Sequence, residues 1–64
     1  MPWNRVILKT LRERRDWTQD ELARRVDAHR VTIAKLETGE RQPSVDMLER
    51  LAQALEVKVT DFLK

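Results

Sequence analysis

The chain has 64 residues, which allows one domain (residues 1–64), and it contains no cysteine, which excludes disulfides and thiolate metal sites. A chain this short buries only about 60% of the surface that its unfolded form exposes, so we expect a marginally stable domain. The net charge is only +2, but residues 1–36 hold nine Lys and Arg against five Asp and Glu, whereas residues 37–64 hold four against six.

The N-terminal segment is predicted to form a helix over about residues 4–15. Leu8, Leu11 and Ile7 are expected to face the core of the domain, because they recur at helical spacing. The first ten residues lack an apolar stretch long enough for a signal peptide or a membrane span. The sequence therefore predicts a cytoplasmic protein with no membrane association.

Two short helices joined by a tight turn are predicted over residues 19–26 and 30–38. Thr18 opens the first of them, because its hydroxyl can accept a first-turn N–H while the Glu21 carboxylate reaches back, which forms a capping box. Gly39 suits the left-handed conformation that ends the second helix. Apolar residues recur at helical spacing in both helices: Leu22, Ala23, Val26, Ile33 and Leu36.

The second of these short helices is predicted to turn donors and a methyl-bearing surface outward, from Arg30, Val31, Thr32 and Lys35. A short helix with such a surface is what the major groove of DNA accepts. The basic half of the chain contains this helix, and local clusters of basic residues supply phosphate affinity more than total charge does.

The C-terminal part is predicted to form a longer helix and a last short turn. Ser44 follows Pro43 and is a suitable N-cap for the longer helix, and Thr60 is a suitable cap for the turn, which runs through Leu63. The apolar stripe of the helix and the residues that close the core are expected to be Met47, Leu48, Leu51, Ala52, Leu55, Trp17, Val57 and Phe62.

Three segments together resemble the phage-repressor and Cro-like (XRE-type) helix-turn-helix family. They are TQDELA at residues 18–23, TIAKLE at residues 32–37 and GERQPS at residues 39–44, and a LxxLAxALxV pattern follows them. The resemblance extends from about Leu8 to Leu63. It implies an all-α fold, a compact five-helix DNA-binding domain of the lambda-repressor type, whose second and third helices form the helix-turn-helix.

The resemblance also implies which residues contact DNA. Arg30 offers two donors for guanine O6 and N7, and Val31 offers an apolar contact for a thymine methyl group. His29 and Gln19 also have a plainer interpretation, as exposed polar residues at helix starts. The full assignment is base readout by Gln19, Arg30, Val31 and Lys35, and phosphate contact by Thr18, His29, Thr32 and Arg41.

Arg12 and Glu37 resemble a family ion pair that joins the first helix to the third. The carboxylate would hold the guanidinium and leave its remaining donors for phosphate; the alternative is two unrelated surface charges. The chain departs from the family at Asp16, Asp27 and Glu56, helix ends where glycine is frequent. Asp tolerates the left-handed conformation moderately and Glu tolerates it poorly.

One His, one Ser, no Cys and no Tyr supply neither a catalytic set nor a metal site, so we expect no enzyme and no cofactor. The sequence predicts a sequence-specific transcriptional regulator, in the first place a repressor. It would bind a pseudo-palindromic operator in double-stranded DNA as a homodimer. An antitoxin-type protein-interaction module that also binds DNA is the alternative, and a truncated or engineered helical scaffold is the third interpretation.

Overall fold

Residues 3–64 are described by a computed structural model, in which they form four α-helices and one C-terminal turn of 3-10 helix. The helices are α1 (Arg5–Arg14), α2 (Gln19–Arg25), α3 (Arg30–Thr38) and α4 (Val45–Leu55), and the 3-10 turn spans Val59–Phe62. The all-α prediction is confirmed, but the fifth helix is only this turn. Its four residues are too few for α-helical hydrogen bonds to accumulate, and short segments of this kind adopt the tighter 3-10 geometry.

Each α-helix begins at a side chain that accepts a backbone N–H of the first turn. The predicted capping box is confirmed: Thr18 Oγ1 accepts from the Glu21 N–H, and Glu21 Oε1 accepts from the Thr18 N–H, both at 3.1 Å. Each cap of this kind stabilises a helix by about 1 kcal/mol. The four capping residues are Asn4, Thr18, His29 and Ser44.

Each α-helix is followed by a residue in the left-handed conformation. These residues are Asp16 (φ 57°), Asp27 (φ 55°), Gly39 (φ 86°) and Glu56 (φ 57°). Gly39 differs from the others, because a Cβ added there would lie 3.1 Å from Cδ and 3.2 Å from Nε of Arg5. The chain thus accepts a side chain at three helix ends, whereas a side chain at the fourth would require Arg5 to shift by a few tenths of an ångström.

A single hydrophobic core lies between the helices. Leu11 and Trp17, predicted to be core residues, are half-buried at its border. The ring of Trp3 packs on that of Phe62 with a centroid distance of 5.5 Å, and the Asn4 N–H donates to the Phe62 carbonyl at 2.8 Å, so the segment before α1 meets the C-terminal 3-10 turn. The buried apolar residues are Leu8, Leu22, Ala23, Val26, Ile33, Leu36, Leu51, Ala52, Leu55 and Phe62.

Arginine side chains tie the loop between α1 and α2 to the end of α4. The guanidinium carbons of Arg25 and Arg15 lie 4.1 and 5.2 Å from the ring centroid of Trp17. Arg15 also donates to the Leu55 carbonyl at 2.9 Å and to the Glu56 carboxylate at 3.1 Å. These contacts hold α2 in place relative to α1 and α4. No helix of residues 3–64 has the length and apolar character needed to cross a membrane.

Candidate nucleic-acid interface

α2 and α3 form a closely packed pair joined by a short turn. Ala23, on α2, is 1% exposed, and its carbonyl accepts from the Ala28 N–H at 2.8 Å. Leu22 and Ile33 are fully buried, so each helix of the pair turns one face into the core. The opposite face of α3 is therefore held in a fixed position at the surface.

Three of the four residues predicted to point outward from α3 are exposed: Arg30, Val31 and Lys35. Val31 is 44% exposed, one of three large apolar side chains that are exposed among residues 3–64; Val6 and Val45 are the others. Thr32, the fourth, is half-buried, because it lines a cleft of about 120 Å³ between α3 and the start of α4. The exposed residues leave a cationic surface with one methyl-bearing side chain.

His29 stands directly before α3 and caps it. Its Nδ1 accepts from the Val31 N–H at 3.2 Å. A ring nitrogen that accepts a hydrogen bond carries no hydrogen, which leaves the ring N–H on Nε2. His29 thus supports the first turn of α3 and has an Nε2–H left to donate.

The structure brings Arg12 and Glu37 together as a bidentate pair between α1 and α3. Arg12 Nε donates to Glu37 Oε2 at 2.7 Å, and Nη2 donates to Oε1 at 3.0 Å. The two side chains are 10% and 4% exposed. The hydrogen bond to Glu37 raises the pKa of Arg12 above its ordinary value, so the guanidinium stays charged.

Two further side chains converge on Glu37. Gln19 Nε2 donates to Glu37 Oε1 at 3.1 Å, and Arg5 Nη1 donates to the Glu37 main-chain carbonyl at 3.1 Å. Sequence reasoning missed both contacts. A signal for Arg5 was available, because Arg5 lies seven residues before Arg12 and thus on the same face of α1.

The remaining predicted phosphate contacts lie at the edges of the α2–α3 pair. Thr18 is exposed at the start of α2, and although its hydroxyl oxygen accepts from the Glu21 N–H, its hydroxyl hydrogen remains able to donate. Arg41 is exposed in the loop after α3, and its N–H donates to the Lys35 carbonyl at 3.3 Å. That bond folds the loop back toward α3 and keeps Arg41 near the exposed face.

Comparisons with known proteins agree with this geometry. The model of the family described as helix-turn-helix matches residues 8–62. A protein of Archaeoglobus fulgidus named as an uncharacterized HTH-type transcriptional regulator is 37% identical over 58 residues, which are 91% of this chain and 82% of that protein.

Solved structures share the fold. The restriction-modification controller protein C.AhdI of Aeromonas hydrophila superposes with a TM-score of 0.82 and 27% identity, over 86% of this chain and 83% of that one. The biofilm master regulator SinR, solved in complex with DNA, superposes with a TM-score of 0.88, over 94% of this chain and 97% of that one. Its identity of 23% is a likeness of fold alone.

Proposed function

This chain belongs to the helix-turn-helix family, and we propose that it is a DNA-binding transcriptional regulator whose α3 reads the major groove. The observation that carries this proposal is the fixed, exposed face of α3. Arg30, Val31 and Lys35 lie on that face, while Ile33 and Leu36 anchor the opposite face in the core.

The exposed side chains of α3 match the chemistry of base edges. The Arg30 guanidinium can donate two hydrogen bonds to guanine O6 and N7, and Val31 can pack against a thymine methyl group. Lys35 can donate to guanine or to a phosphate. We assign Gln19, at the start of α2, to base readout as well.

Phosphates would be held by donors around the α2–α3 pair. Arg12 has five N–H groups, of which three donate to Glu37 and the Trp17 carbonyl, so two remain for a phosphate oxygen. We assign the other phosphate contacts to Arg41 and to residues at helix starts and in the cleft beside α4: Thr18, His29 and Thr32.

Two copies of the domain would act together on a two-fold symmetric operator, and repression would follow from the exclusion of polymerase. The Cα extents of one domain are 27 × 23 × 19 Å. Half-sites read on one face of DNA are centred about 34 Å apart. Two domains of this size therefore fit side by side on adjacent half-sites.

Selection of bound duplexes from a random pool tests the proposal. We expect a two-fold symmetric site. Arg30→Ala should cost about 1–3 kcal/mol in binding and relax the preference at one position per half-site. Arg41→Ala should weaken binding to all DNA sequences alike and make the salt dependence of binding shallower.

Arg14→Ala is the matched control, because Arg14 is exposed near the end of α1 and its loss removes the same charge. It should leave the base preference unchanged. A pool from which the wild-type protein selects no duplex would refute the proposed function. An unchanged preference in Arg30→Ala would show that α3 lies in a different register in the groove.

A further inference from the structure

Val31 places an apolar side chain on a surface of α3 that is otherwise cationic. It is 44% exposed at the second position of the helix. Ile33 and Leu36, on the opposite face, are buried, so α3 cannot rotate to cover Val31. The Val31 N–H already donates to His29 Nδ1 at 3.2 Å, so the two methyl groups are what Val31 offers to a partner.

The exposed side chains beside Val31 are hydrogen-bond donors. Arg30 precedes it, and Lys35 follows one turn later on the same face, where side chains four residues apart are neighbours. Guanidinium and ammonium groups donate and do not accept. Thr38, the next exposed residue of α3, uses its hydroxyl hydrogen in a bond of 3.1 Å to the Lys35 carbonyl. The surroundings of Val31 therefore suit a base pair that presents a methyl group together with acceptors.

Two pyrimidines carry a C5-methyl group into the major groove. Thymine carries it beside the O4 acceptor. 5-Methylcytosine carries the same methyl group, and the guanine that pairs with it presents the acceptors O6 and N7. Val31 has no polar side-chain group with which to distinguish O4 of thymine from the N4 amino group of 5-methylcytosine. Unmethylated cytosine lacks the methyl group and so loses the contact.

We propose that Val31 recognises the C5-methyl group of 5-methylcytosine as well as that of thymine, so that cytosine methylation strengthens binding to the operator. This inference rests on the proposed function and adds a modified base to the ligands of α3. Consecutive helical residues are about 1.5 Å apart along the axis, which is less than the spacing of about 3.4 Å between stacked base pairs. Because Arg30 can bind guanine, we expect the methylated pyrimidine to lie next to a guanine or to pair with one.

Val31→Ser is the test variant, because serine has a helix propensity similar to that of valine and carries no methyl group. The helix cap is kept, since His29 accepts from the backbone N–H of residue 31. Val6→Ser is the matched control. Val6 is 58% exposed at the second position of α1, and its N–H donates to the capping side chain of Asn4 at 3.1 Å. Circular dichroism melts establish that both variants are folded.

Duplex selection with the wild-type protein and with Val31→Ser locates the position at which the variant loses the preference for thymine. Four duplexes with thymine, uracil, 5-methylcytosine or cytosine at that position are then titrated at one salt concentration, because phosphate binding depends on salt. The wild-type protein should bind the thymine duplex about fourfold more tightly than the uracil duplex, the value of burying one methyl group. It should prefer 5-methylcytosine to cytosine by the same factor. Val31→Ser should bind the two duplexes of each pair equally, and Val6→Ser should bind as the wild-type protein does.

Three results would overturn the inference and leave the proposed function standing. The first is that no position loses its thymine preference in Val31→Ser. The second is that the wild-type protein binds the 5-methylcytosine duplex no more tightly than the cytosine duplex. The third is that Val31→Ser keeps the preference for the methylated duplexes, which would place its origin in the shape of the duplex. Failure of the wild-type protein to select any duplex would overturn both proposals.

Discussion

Removing the Glu37 carboxylate should destabilise the domain severely. Glu37 accepts three side-chain hydrogen bonds, two from Arg12 and one from Gln19, and its side chain is 4% exposed. Glu37→Met would leave a buried guanidinium without its counter-charge, which costs about 3–5 kcal/mol. A core of this size supplies only about 3–5 kcal/mol of net stability, so the variant should be largely unfolded in water.

The double variant should recover much of that loss. In Arg12→Met/Glu37→Met no charge is left unpaired, and well-packed apolar pairs replace buried ion pairs at little cost. The Trp17 carbonyl and the Gln19 amide each lose one hydrogen bond, at about 1 kcal/mol each. We therefore expect the double variant to lie within about 2 kcal/mol of the wild-type protein and above either single variant.

Urea unfolding followed by circular dichroism measures the free energy of unfolding of the wild-type protein, the two single variants and the double variant. An osmolyte in every sample stabilises the folded state, so that the unfolding transition of the single variants can be measured. The exposed pair Asp20–Arg24, 3.7 Å apart, is the control, and its coupling should be at most about 0.5 kcal/mol. Additive losses at Arg12 and Glu37, with the double variant the least stable of the four, would refute the reasoning.

Two further predictions concern stability. Glu56→Gly should leave the stability of the domain unchanged or raise it by up to about 1 kcal/mol in a thermal melt, because glycine removes left-handed strain and loses only an exposed contact with Arg15. The control, Glu49→Gly inside α4, should instead lower the stability by about 1 kcal/mol. Equal losses of stability in the two variants would contradict the prediction. Asp61→Ala should lower the melting temperature at neutral pH. The Lys58 N–H donates to the Asp61 carboxylate and holds its pKa below the ordinary 3.8, so the ionised carboxylate stabilises the folded state fully at pH values above 3.8. This stabilisation is lost as the pH falls through the lowered pKa of Asp61. A difference in melting temperature between the wild-type protein and Asp61→Ala that persists in strong acid would show that ionisation of Asp61 is not its cause.

Local sequence signals were sufficient for most of the fold. The capping box at Thr18 and the left-handed stop at Gly39 are short-range patterns with a direct backbone meaning, and the predicted bounds of α3 coincide with the observed ones. α1 is one residue shorter than predicted at each end, and α2 is one residue shorter at its C-terminal end, because Asn4, Arg15 and Val26 are caps and not helical residues. The prediction of a fifth helix was wrong. It was taken from the family resemblance, whereas the last segment of this chain forms only a 3-10 turn.

The site could be predicted less completely, because its polar contacts are long-range. Gln19 is 18 residues away from Glu37, and no periodicity links positions so far apart; the contact of Arg5, 32 residues away, was signalled only indirectly, through the face of α1 that it shares with Arg12. The Arg12–Glu37 pair was anticipated only through the resemblance. The half-burial of Thr32 depends on how the start of α4 packs against α3, which a pattern within α3 does not contain.

The contact between Gly39 and Arg5 makes α3 unsuitable for transplantation as a whole helix into a related protein. The Arg5 side chain lies 3.1 to 3.2 Å from the position that a Cβ at Gly39 would take, and from there it reaches the Glu37 carbonyl. Grafting the whole helix onto a related scaffold would carry the glycine but leave the arginine behind, so the end of the helix would lose its fixed orientation. Operator preference should instead be exchanged between such proteins by transplanting the outward residues Arg30, Val31 and Lys35 alone, within each recipient's own helix.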